Sequence, residues 1–253
     1  LVIIETTNIF YDNNLFDNIT SNGLLSWERA MSACKLAKTS KEWAEYFSMH
    51  NGGSYNNQYM ILDKKKVDLK NKEIKNDAFF IVEQLPGFTK INNVTDILKF
   101  GFWSSYNTPF DKEIIEKSKI QEAIKDDPNR AKLIDYDICV RAKLFRRDQY
   151  KVDSIDSMKT LLRENNYKTD EFSEGNPGYS ICSRNDLNGK VCSGAYDAKV
   201  SSLSEISEDS IKVHIIAGPT SEGEVDAFQF SISDACKNKS HYGISDTPTI
   251  KWF

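Results

Sequence analysis

The strongest strand signal in the chain is Ala78-Phe79-Phe80-Ile81-Val82, an unbroken run of apolar residues rich in aromatic and β-branched side chains. Leu85-Pro86-Gly87 follows closely and carries the chemistry of a turn. Two further apolar runs, Leu1-Val2-Ile3-Ile4 and Met60-Ile61-Leu62, have the length of short buried strands. Together these segments predict a meander of a sheet that is covered on at least one face.

Other segments carry the spacing of helices. A stripe of apolar residues predicts a core-facing helix on which the thiol of Cys34 is buried, and a second, shorter helix is expected to be capped by Ser40. The stripe consists of Trp27, Ala30, Met31, Cys34 and Ala37, and the inward residues of the second helix are Trp43, Ala44 and Phe47. Residues 111–125 predict a solvated amphipathic helix, whereas residues 135–148 alternate polar and apolar side chains as a half-buried strand does.

The composition is that of a globular protein. The chain has 253 residues, of which 40% are hydrophobic, and further strands are expected over residues 195–203, 211–217 and 228–232. Because no repeat or linker marks a boundary, we expect residues 1–253 to form a single domain of the α/β or α+β class. The net charge of -4 and the pI of 5.6 argue against a nucleic-acid partner. No apolar run approaches the roughly 20 residues that a transmembrane helix needs.

Cysteines and glycosylation signals point to a secreted or lysosomal protein. N-glycosylation sequons begin at Asn18, Asn93 and Asn238. Cys182 and Cys192 bracket a polar, glycine-containing loop that a disulfide would close easily, and an odd number of cysteines remains. The chain starts without a methionine, which we interpret as the mark of a fragment from a longer precursor whose signal peptide is already removed.

The stretch Gly101-Phe102-Trp103-Ser104-Ser105-Tyr106-Asn107-Thr108-Pro109-Phe110 is the first candidate for chemistry, because it surrounds one amide side chain with aromatic rings and hydroxyls. By spacing alone it is interpreted as a strand end, at which Asn107 caps a turn before Pro109. Thr7 closes the first predicted strand, where a turn is the simplest reading. Arg141 follows an apolar triplet, where an ion pair with a nearby aspartate is the simplest reading.

Familiar catalytic motifs are absent from the sequence. The three histidines lie far apart, none has a metal-binding spacing, and neither a nucleophile elbow nor a Walker or dinucleotide glycine pattern occurs. We therefore expect no metal and no cofactor. The residues taken one by one do not name a reaction.

A series of longer passages, in order over nearly the whole chain, resembles one known family. These passages are Leu1-Val2-Ile3-Ile4-Glu5-Thr6-Thr7, Asn51-Gly52-Gly53-Ser54-Tyr55-Asn56-Asn57-Gln58-Tyr59-Met60, Ile81-Val82-Glu83-Gln84-Leu85-Pro86-Gly87, Trp103-Ser104-Ser105-Tyr106-Asn107, Arg141-Ala142-Lys143-Leu144-Phe145-Arg146-Arg147-Asp148-Gln149, Ser157-Met158-Lys159, Arg184-Asn185-Asp186-Leu187 and Ala217-Gly218-Pro219-Thr220. They resemble the phospholipase B-like proteins.

This resemblance implies the α+β fold of the N-terminal nucleophile hydrolases, an αββα sandwich of two antiparallel sheets between helical layers, with its first strands upstream of Leu1. It also implies a lysosomal or secreted glycoprotein made as a precursor that cuts itself and exposes a cysteine nucleophile. That cysteine would lie upstream of Leu1, so the partner of this chain would be the N-terminal fragment of the same precursor. The implied substrate is a lipid or acylated small molecule, cleaved at an ester or amide bond. The alternative is a non-catalytic lysosomal glycoprotein that binds a lipid or peptide in the same pocket.

The resemblance also assigns roles to residues of this chain. Thr7 is similar to a pocket-lining hydroxyl near the nucleophile, and Asn107 is similar to an oxyanion-hole amide. Arg141 is similar to the cation that keeps the thiol ionised and the amine unprotonated. The family usually has proline before this arginine, whereas Val140 stands here.

Overall fold

A computed structural model describes residues 1–189, 191–207 and 209–253 and shows an α+β protein with antiparallel sheets. The α-helices are α1 (Ser26–Leu36), α2 (Ser40–Ser48), α3 (Thr95–Leu98), α4 (Lys112–Lys117), α5 (Ile120–Asp126), α6 (Ala131–Ile134), α7 (Val140–Asp148) and α8 (Ile155–Arg163). The strands are β1 (Val2–Thr7), β2 (Asn57–Leu62), β3 (Val67–Asp68), β4 (Glu73–Ile74), β5 (Phe79–Leu85), β6 (Phe88–Asn93), β7 (Asp197–Val200) and β8 (His214–Ala217). Short 3-10 helices cover Asn13–Asn18, Lys64–Lys66, Pro128–Arg130, Gln149–Lys151, Asn185–Asn188 and Leu203–Glu205.

The chain separates into two compact units, Leu1–Asp137 and Ile138–Phe253. That residues 1–253 form one domain stays a prediction, as does the αββα sandwich. None of the helices within the described residues has the length and apolar character required to cross a bilayer.

The first unit is built on a four-stranded antiparallel sheet in the order β1-β2-β5-β6. The predicted meander is confirmed, because β5 pairs with β2 on one side and with β6 on the other. The turn at Leu85-Pro86-Gly87 joins β5 to β6 as a hairpin, with Gly87 at a φ of 73° that glycine adopts without strain. β3 and β4 form a separate two-stranded sheet.

β1 was expected to be buried and is instead largely exposed. Within the described residues β1 pairs with β2 alone, and Ile4 is 61% exposed. An apolar run is typical of a buried strand, but burial depends on what covers the strand, and here one side of β1 has no neighbouring strand in the described chain.

Both faces of the sheet are covered. On one face, Trp43 and Phe47 of α2 stack with ring centroids 4.9 Å apart and pack on Tyr59 of β2. On the other face, Trp103 and Phe110 pack edge-to-face, with centroids 5.0 Å apart, against a cluster around Ile81. The inward face predicted for α2 is therefore confirmed, while Thr39 rather than Ser40 caps the helix, its hydroxyl accepting from the N–H of Glu42 at 3.2 Å.

The helix predicted around residues 27–37 is confirmed as α1, but its predicted inward face is wrong in part, because Ala30 and Ala37 pack against the core whereas the other three residues do not. Trp27 and Met31 are 60% and 54% exposed, and the thiol of Cys34 is exposed as well. Arg29 is buried in their place, and its guanidinium lies 4.2 Å from the ring centre of Phe47. Arg29 can be buried because its guanidinium reaches hydrogen-bond acceptors of backbone and amide groups in the interior. A stripe of apolar residues in the sequence gives no sign of these acceptors.

Arg29 illustrates how a buried cation is accommodated here. Its nitrogens donate to the carbonyl of Phe47 at 2.8 Å, to Oε1 of Gln84 at 2.8 Å and to Oδ1 of Asn51 at 3.2 Å. Because these acceptors are neutral, they do not offset the loss of hydration fully, and burial lowers the pKa of Arg29 to about 10. The side chain thereby ties α1 to the loop before β2 and to β5.

Two further helix assignments need correction. The helix expected over residues 111–125 is divided into α4 and α5 at Lys119, which has a φ of 55°. Residues 135–148 were expected to form a strand, and that prediction is wrong, because they contain α7. Its buried residues are Val140, Ala142, Leu144 and Asp148. The first three alternate along the chain, which is why the sequence of this segment resembles a half-buried strand, whereas Val140, Leu144 and Asp148 have the spacing of one helix face.

In the second unit, β7 and β8 pair antiparallel within the segments expected to be strands, but each strand is shorter than predicted. Residues 228–232 were expected to be a strand and form turns and irregular structure instead. A short run of apolar and polar residues fits a strand and an irregular segment equally well, and only the available pairing partners separate the two.

The predicted disulfide between Cys182 and Cys192 is wrong, because Cys192 pairs with Cys236. Cys182 is buried outside this disulfide, and its carbonyl oxygen accepts from Nδ2 of Asn165 at 2.9 Å. Between the two cysteines, Arg184 and Asp186 form a buried ion pair with a nitrogen–oxygen distance of 2.8 Å. Arg184 also donates to the carbonyl oxygen of Asp226 at 2.9 Å, so this pair holds the loop between the two cysteines against the interior.

Replacing both cysteines of the observed bridge, as Cys192→Ser with Cys236→Ser, should lower the free energy of unfolding by about 4 kcal/mol, because the bridge closes a long loop in the unfolded chain. Urea unfolding of the full-length protein measures the loss. Cys34→Ser is the matched control and should change little, because the serine oxygen can replace Sγ as the acceptor from Nε1 of Trp43, a bond of 3.2 Å. A comparable loss in Cys182→Ala, together with a newly titratable thiol at Cys192, would instead support the local pairing.

Candidate functional site

The end of β1 places Thr7 at an edge of the sheet. Thr7 pairs with Asn57 across β1 and β2, and its side chain is exposed. The preceding residue, Thr6, is bonded through its hydroxyl to the hydroxyl of Ser105. The aromatic stretch and the end of β1 are therefore in direct contact.

Asn107 lies against the same strand end. Its Nδ2 donates to the carbonyl oxygen of Thr7 at 2.8 Å, and its own carbonyl oxygen accepts from the N–H of Ile9 at 3.2 Å. The residue has a φ of 67°, in the left-handed region that asparagine tolerates better than most side chains. Because the bond to Thr7 fixes the plane of the exposed amide, it holds the second N–H of the amide in one direction.

A buried carboxylate joins the two segments that carry these residues. Glu83 of β5 is 0% exposed. It accepts from Nδ2 of Asn8 at 3.1 Å, Nε2 of Gln58 at 2.8 Å, the N–H of Phe110 at 2.9 Å and the N–H of Asp111 at 2.7 Å. Burial raises the pKa of the Glu83 carboxyl, and the four N–H donors oppose that rise. Glu83 thus fixes the residue after Thr7 and the end of the aromatic stretch to one point in the core.

A polar group without a partner lies beside this site. Asn57, which is 0% exposed, donates through Nδ2 to Oε2 of Glu5 at 2.7 Å. Its Oδ1 has no hydrogen-bond partner among the described residues. Since a buried acceptor without a partner is costly, a bound water or ligand group would be favoured there.

The glycine- and amide-rich passage upstream of β2 supports the sheet. Nδ2 of Asn51 donates to the carbonyl of Leu85 at 2.8 Å, while Oδ1 of Asn51 accepts from the N–H of Gly53 at 2.9 Å. A Cβ at Gly23 would lie 2.3 Å from the Cα of Gly52, so the two backbones approach too closely for any side chain. Asn51 and these glycines therefore stabilise the loop before β2 against the hairpin of β5 and β6.

Arg141 occupies the first turn of α7 in the second unit and is half-buried. Its assignment as the cation beside the thiol stays a prediction. The structure thus brings Thr7 and Asn107 together within the first unit. The sequence reasoning did not select Asn8 or Glu83, although an acid directly after the apolar run of β5 is a signal that could have identified Glu83.

The predicted glycosylation sites are all exposed. Asn18 ends a 3-10 helix and Asn93 ends β6, while Asn238 lies in a turn near the end of the chain. Exposure is what an attached glycan requires, and modification at these positions stays a prediction.

Comparison with known proteins identifies the family. The family model described as Phospholipase B matches residues 1–253. Phospholipase B-like 1 of Bos taurus is 41% identical over 236 residues, which cover 91% of this chain and 42% of the bovine protein. Phospholipase B-like 1 of Homo sapiens is 39% identical over 252 residues, covering 97% of this chain and 43% of the human protein. Phospholipase B of Crotalus adamanteus is 38% identical over 232 residues, covering 91% of this chain and 41% of the snake protein.

The chain therefore spans less than half the length of each of these relatives. The family model covers the whole chain, and its range includes every passage quoted above as resembling the family. The chain belongs to the phospholipase B family.

Proposed function

We propose that this chain is part of a hydrolase that cleaves acyl ester or amide bonds of a lipid or related small molecule. The observation that carries the proposal is the bond between the Asn107 amide and the Thr7 carbonyl, which unites two family-matched polar residues from distant parts of the chain at one sheet edge. The names of the relatives, phospholipase B and phospholipase B-like 1, support a lipid substrate.

In this proposal the nucleophile is a cysteine at the processed N-terminus of the larger fragment, upstream of Leu1. Its thiol attacks the substrate carbonyl and the α-amine of the same residue takes the proton. The amide of Asn107 donates to the oxyanion that forms, and the hydroxyl of Thr7 lines the pocket. Arg141 stabilises the thiolate by its positive charge.

The remaining parts of the proposal concern the processing, localisation and glycosylation of the protein. The precursor cuts itself and its N-terminal fragment stays with this chain. The protein is carried to the lysosome or secreted, and its glycans are attached at Asn18, Asn93 and Asn238. The disulfide between Cys192 and Cys236 fits an oxidising compartment.

The test uses the full-length, processed natural protein in a Cys34→Ser background, because the thiol of Cys34 is exposed and would react as well. We expect release of fatty acid from phosphatidylcholine or from an N-acyl amide. Iodoacetamide should abolish this release after adding one alkyl group at the processed terminus, as peptide mass spectrometry would show.

Unmodified protein with the Cys34 thiol serves as the matched control and should be equally active. Release that persists after full alkylation would contradict the cysteine nucleophile. Absence of release from every ester and amide tested, with binding retained, would contradict the hydrolase and favour a non-catalytic lipid- or peptide-binding glycoprotein.

A further inference from the structure

A cavity of about 260 Å³ opens in the second unit beside the ends of β7 and β8. The disulfide between Cys192 and Cys236 forms part of its wall, and residues 248–250 form another part. Most of the remaining lining is apolar and includes Phe228, Phe230 and Ile244. None of the residues to which the proposed hydrolysis assigns a role lines this cavity.

The walls of the cavity are held in place by contacts within the protein. Gly218, at a φ of 121°, faces Ile250 so closely that a Cβ would lie 2.7 Å from the side chain of Ile250. The N–H of Phe230 donates to the carbonyl of Asp246 at 3.0 Å. These contacts and the disulfide tie the C-terminal segment to the strand ends, so the space is preformed.

The volume of this cavity is larger than that of an ordinary packing defect. Protein interiors are packed so closely that few voids exceed the size of a water molecule, and each costs stability. The cavity is also graded from inside to outside, because Cys236 and Phe228 are 1% and 6% exposed whereas Ile244 and Tyr196 are 47% and 61% exposed. A buried apolar wall with an exposed apolar rim suits a molecule whose tail enters and whose polar end stays in water.

The charge of the lining is neutralised. Among the described residues that line the cavity, Asp186 is the one with an acidic side chain. Each of its two carboxylate oxygens accepts a hydrogen bond from Arg184 at 2.8 Å. Both partners are nearly fully buried, with 1% of Arg184 and 5% of Asp186 exposed. The pair offers no charge to an ionic ligand, so the cavity selects for hydrocarbon.

We propose that this cavity is a binding site for the hydrocarbon chain of an amphiphile, with the polar end of the ligand at the rim formed by Tyr196 and Ile244. This proposal is independent of the proposed hydrolysis, because it requires only that the hydrocarbon chain of the ligand is buried, and that hydrocarbon chain contains no ester or amide bond.

In the test, the full-length protein is titrated with straight-chain primary alcohols from butanol to decanol, and calorimetry measures the binding of each alcohol. These alcohols carry neither an ester nor an amide, so an inactive enzyme would still bind them. Each added methylene should raise the affinity about fourfold until the cavity is full, after which the affinity should level off.

Ala217→Trp fills the cavity from the end of β8 and should abolish saturable binding, and Ala195→Phe does so from the opposite segment if the first variant unfolds. Ala227→Trp is the matched control, because Ala227 is exposed and outside the lining. Binding without dependence on chain length, no saturable binding at all, or unchanged binding in a folded Ala217→Trp or Ala195→Phe protein would each overturn the proposal. If no alcohol binds, the result would indicate that other parts of the full-length chain fill the cavity.

Discussion

Replacing Glu83 by glutamine should lower the free energy of unfolding by roughly 3 kcal/mol, although the two side chains have nearly the same shape. Three donors meet one carboxylate oxygen, Oε1, and the N–H of Asp111 meets the other, Oε2. Glutamine retains only one acceptor oxygen, so its NH2 group must face either the N–H of Asp111 or the three donors on the other side.

The cost is large because the site is closed to water. Glu83 is 0% exposed, and an N–H left without an acceptor there loses its hydrogen bond without recovering one from solvent. Asp111 also caps α4, its side chain accepting from the N–H of Glu113 at 2.9 Å, so displacement of its backbone should loosen that helix.

Urea unfolding of the full-length protein at neutral pH measures this change. Glu73→Gln removes an acid from an exposed position of β4 and is the matched control, for which we expect a change below about 0.5 kcal/mol. If Glu83→Gln proves as stable as the control, the carboxylate does not hold the two segments together and the site has another support.

Removal of the Asn107 side chain should lower kcat on a true acyl substrate by about a hundredfold or more, which corresponds to roughly 3 kcal/mol of transition-state stabilisation. Asn107→Gly is the cleaner variant, because glycine accepts the φ of 67° whereas alanine adds strain in the left-handed region. Loss of the bond to the Thr7 carbonyl should cost only about 1 kcal/mol of stability.

Single-turnover kinetics with the processed protein separate this effect from substrate binding. Asn107→Asp should be at least as inactive, because a carboxylate offers no N–H and repels the developing oxyanion. Asn22→Gly changes the same side chain at an exposed position that is not among the site residues described above, so it is the control and should retain full activity. A kcat that stays within about threefold of the parent in Asn107→Gly would contradict the oxyanion assignment.

Local pattern determined much of the first unit. The apolar run of β5 and the turn after it predicted the centre of the meander, since neighbouring strands on both sides bury an unbroken apolar segment. The inward face of α2 followed in the same way from Trp43 and Phe47. The family could also be recognised from the sequence, because several long passages that match in order are far more specific than a single motif, and the family comparison confirmed it. The α+β class is confirmed as well.

Other features depended on partners that are distant in the chain. The face that α1 buries was decided by acceptors from α2 and β5 for Arg29, so the apolar stripe gave the wrong side. The choice of Cys236 over Cys182 depended on which cysteine the fold brings to Cys192, since Cys236 lies 44 residues away in sequence and its Cα is 4.9 Å from that of Cys192.

By itself, then, the sequence determined the family, the α+β class, the core strands and the identity of the polar residues at the end of β1 and in the aromatic stretch. Only the tertiary structure decided that Asn107 meets Thr7, that Glu83 fastens both segments, and which cysteine completes the disulfide. The physical reason is that hydrophobic periodicity reports burial of a local segment, whereas hydrogen bonds, ion pairs and disulfides depend on which distant groups the fold brings within reach.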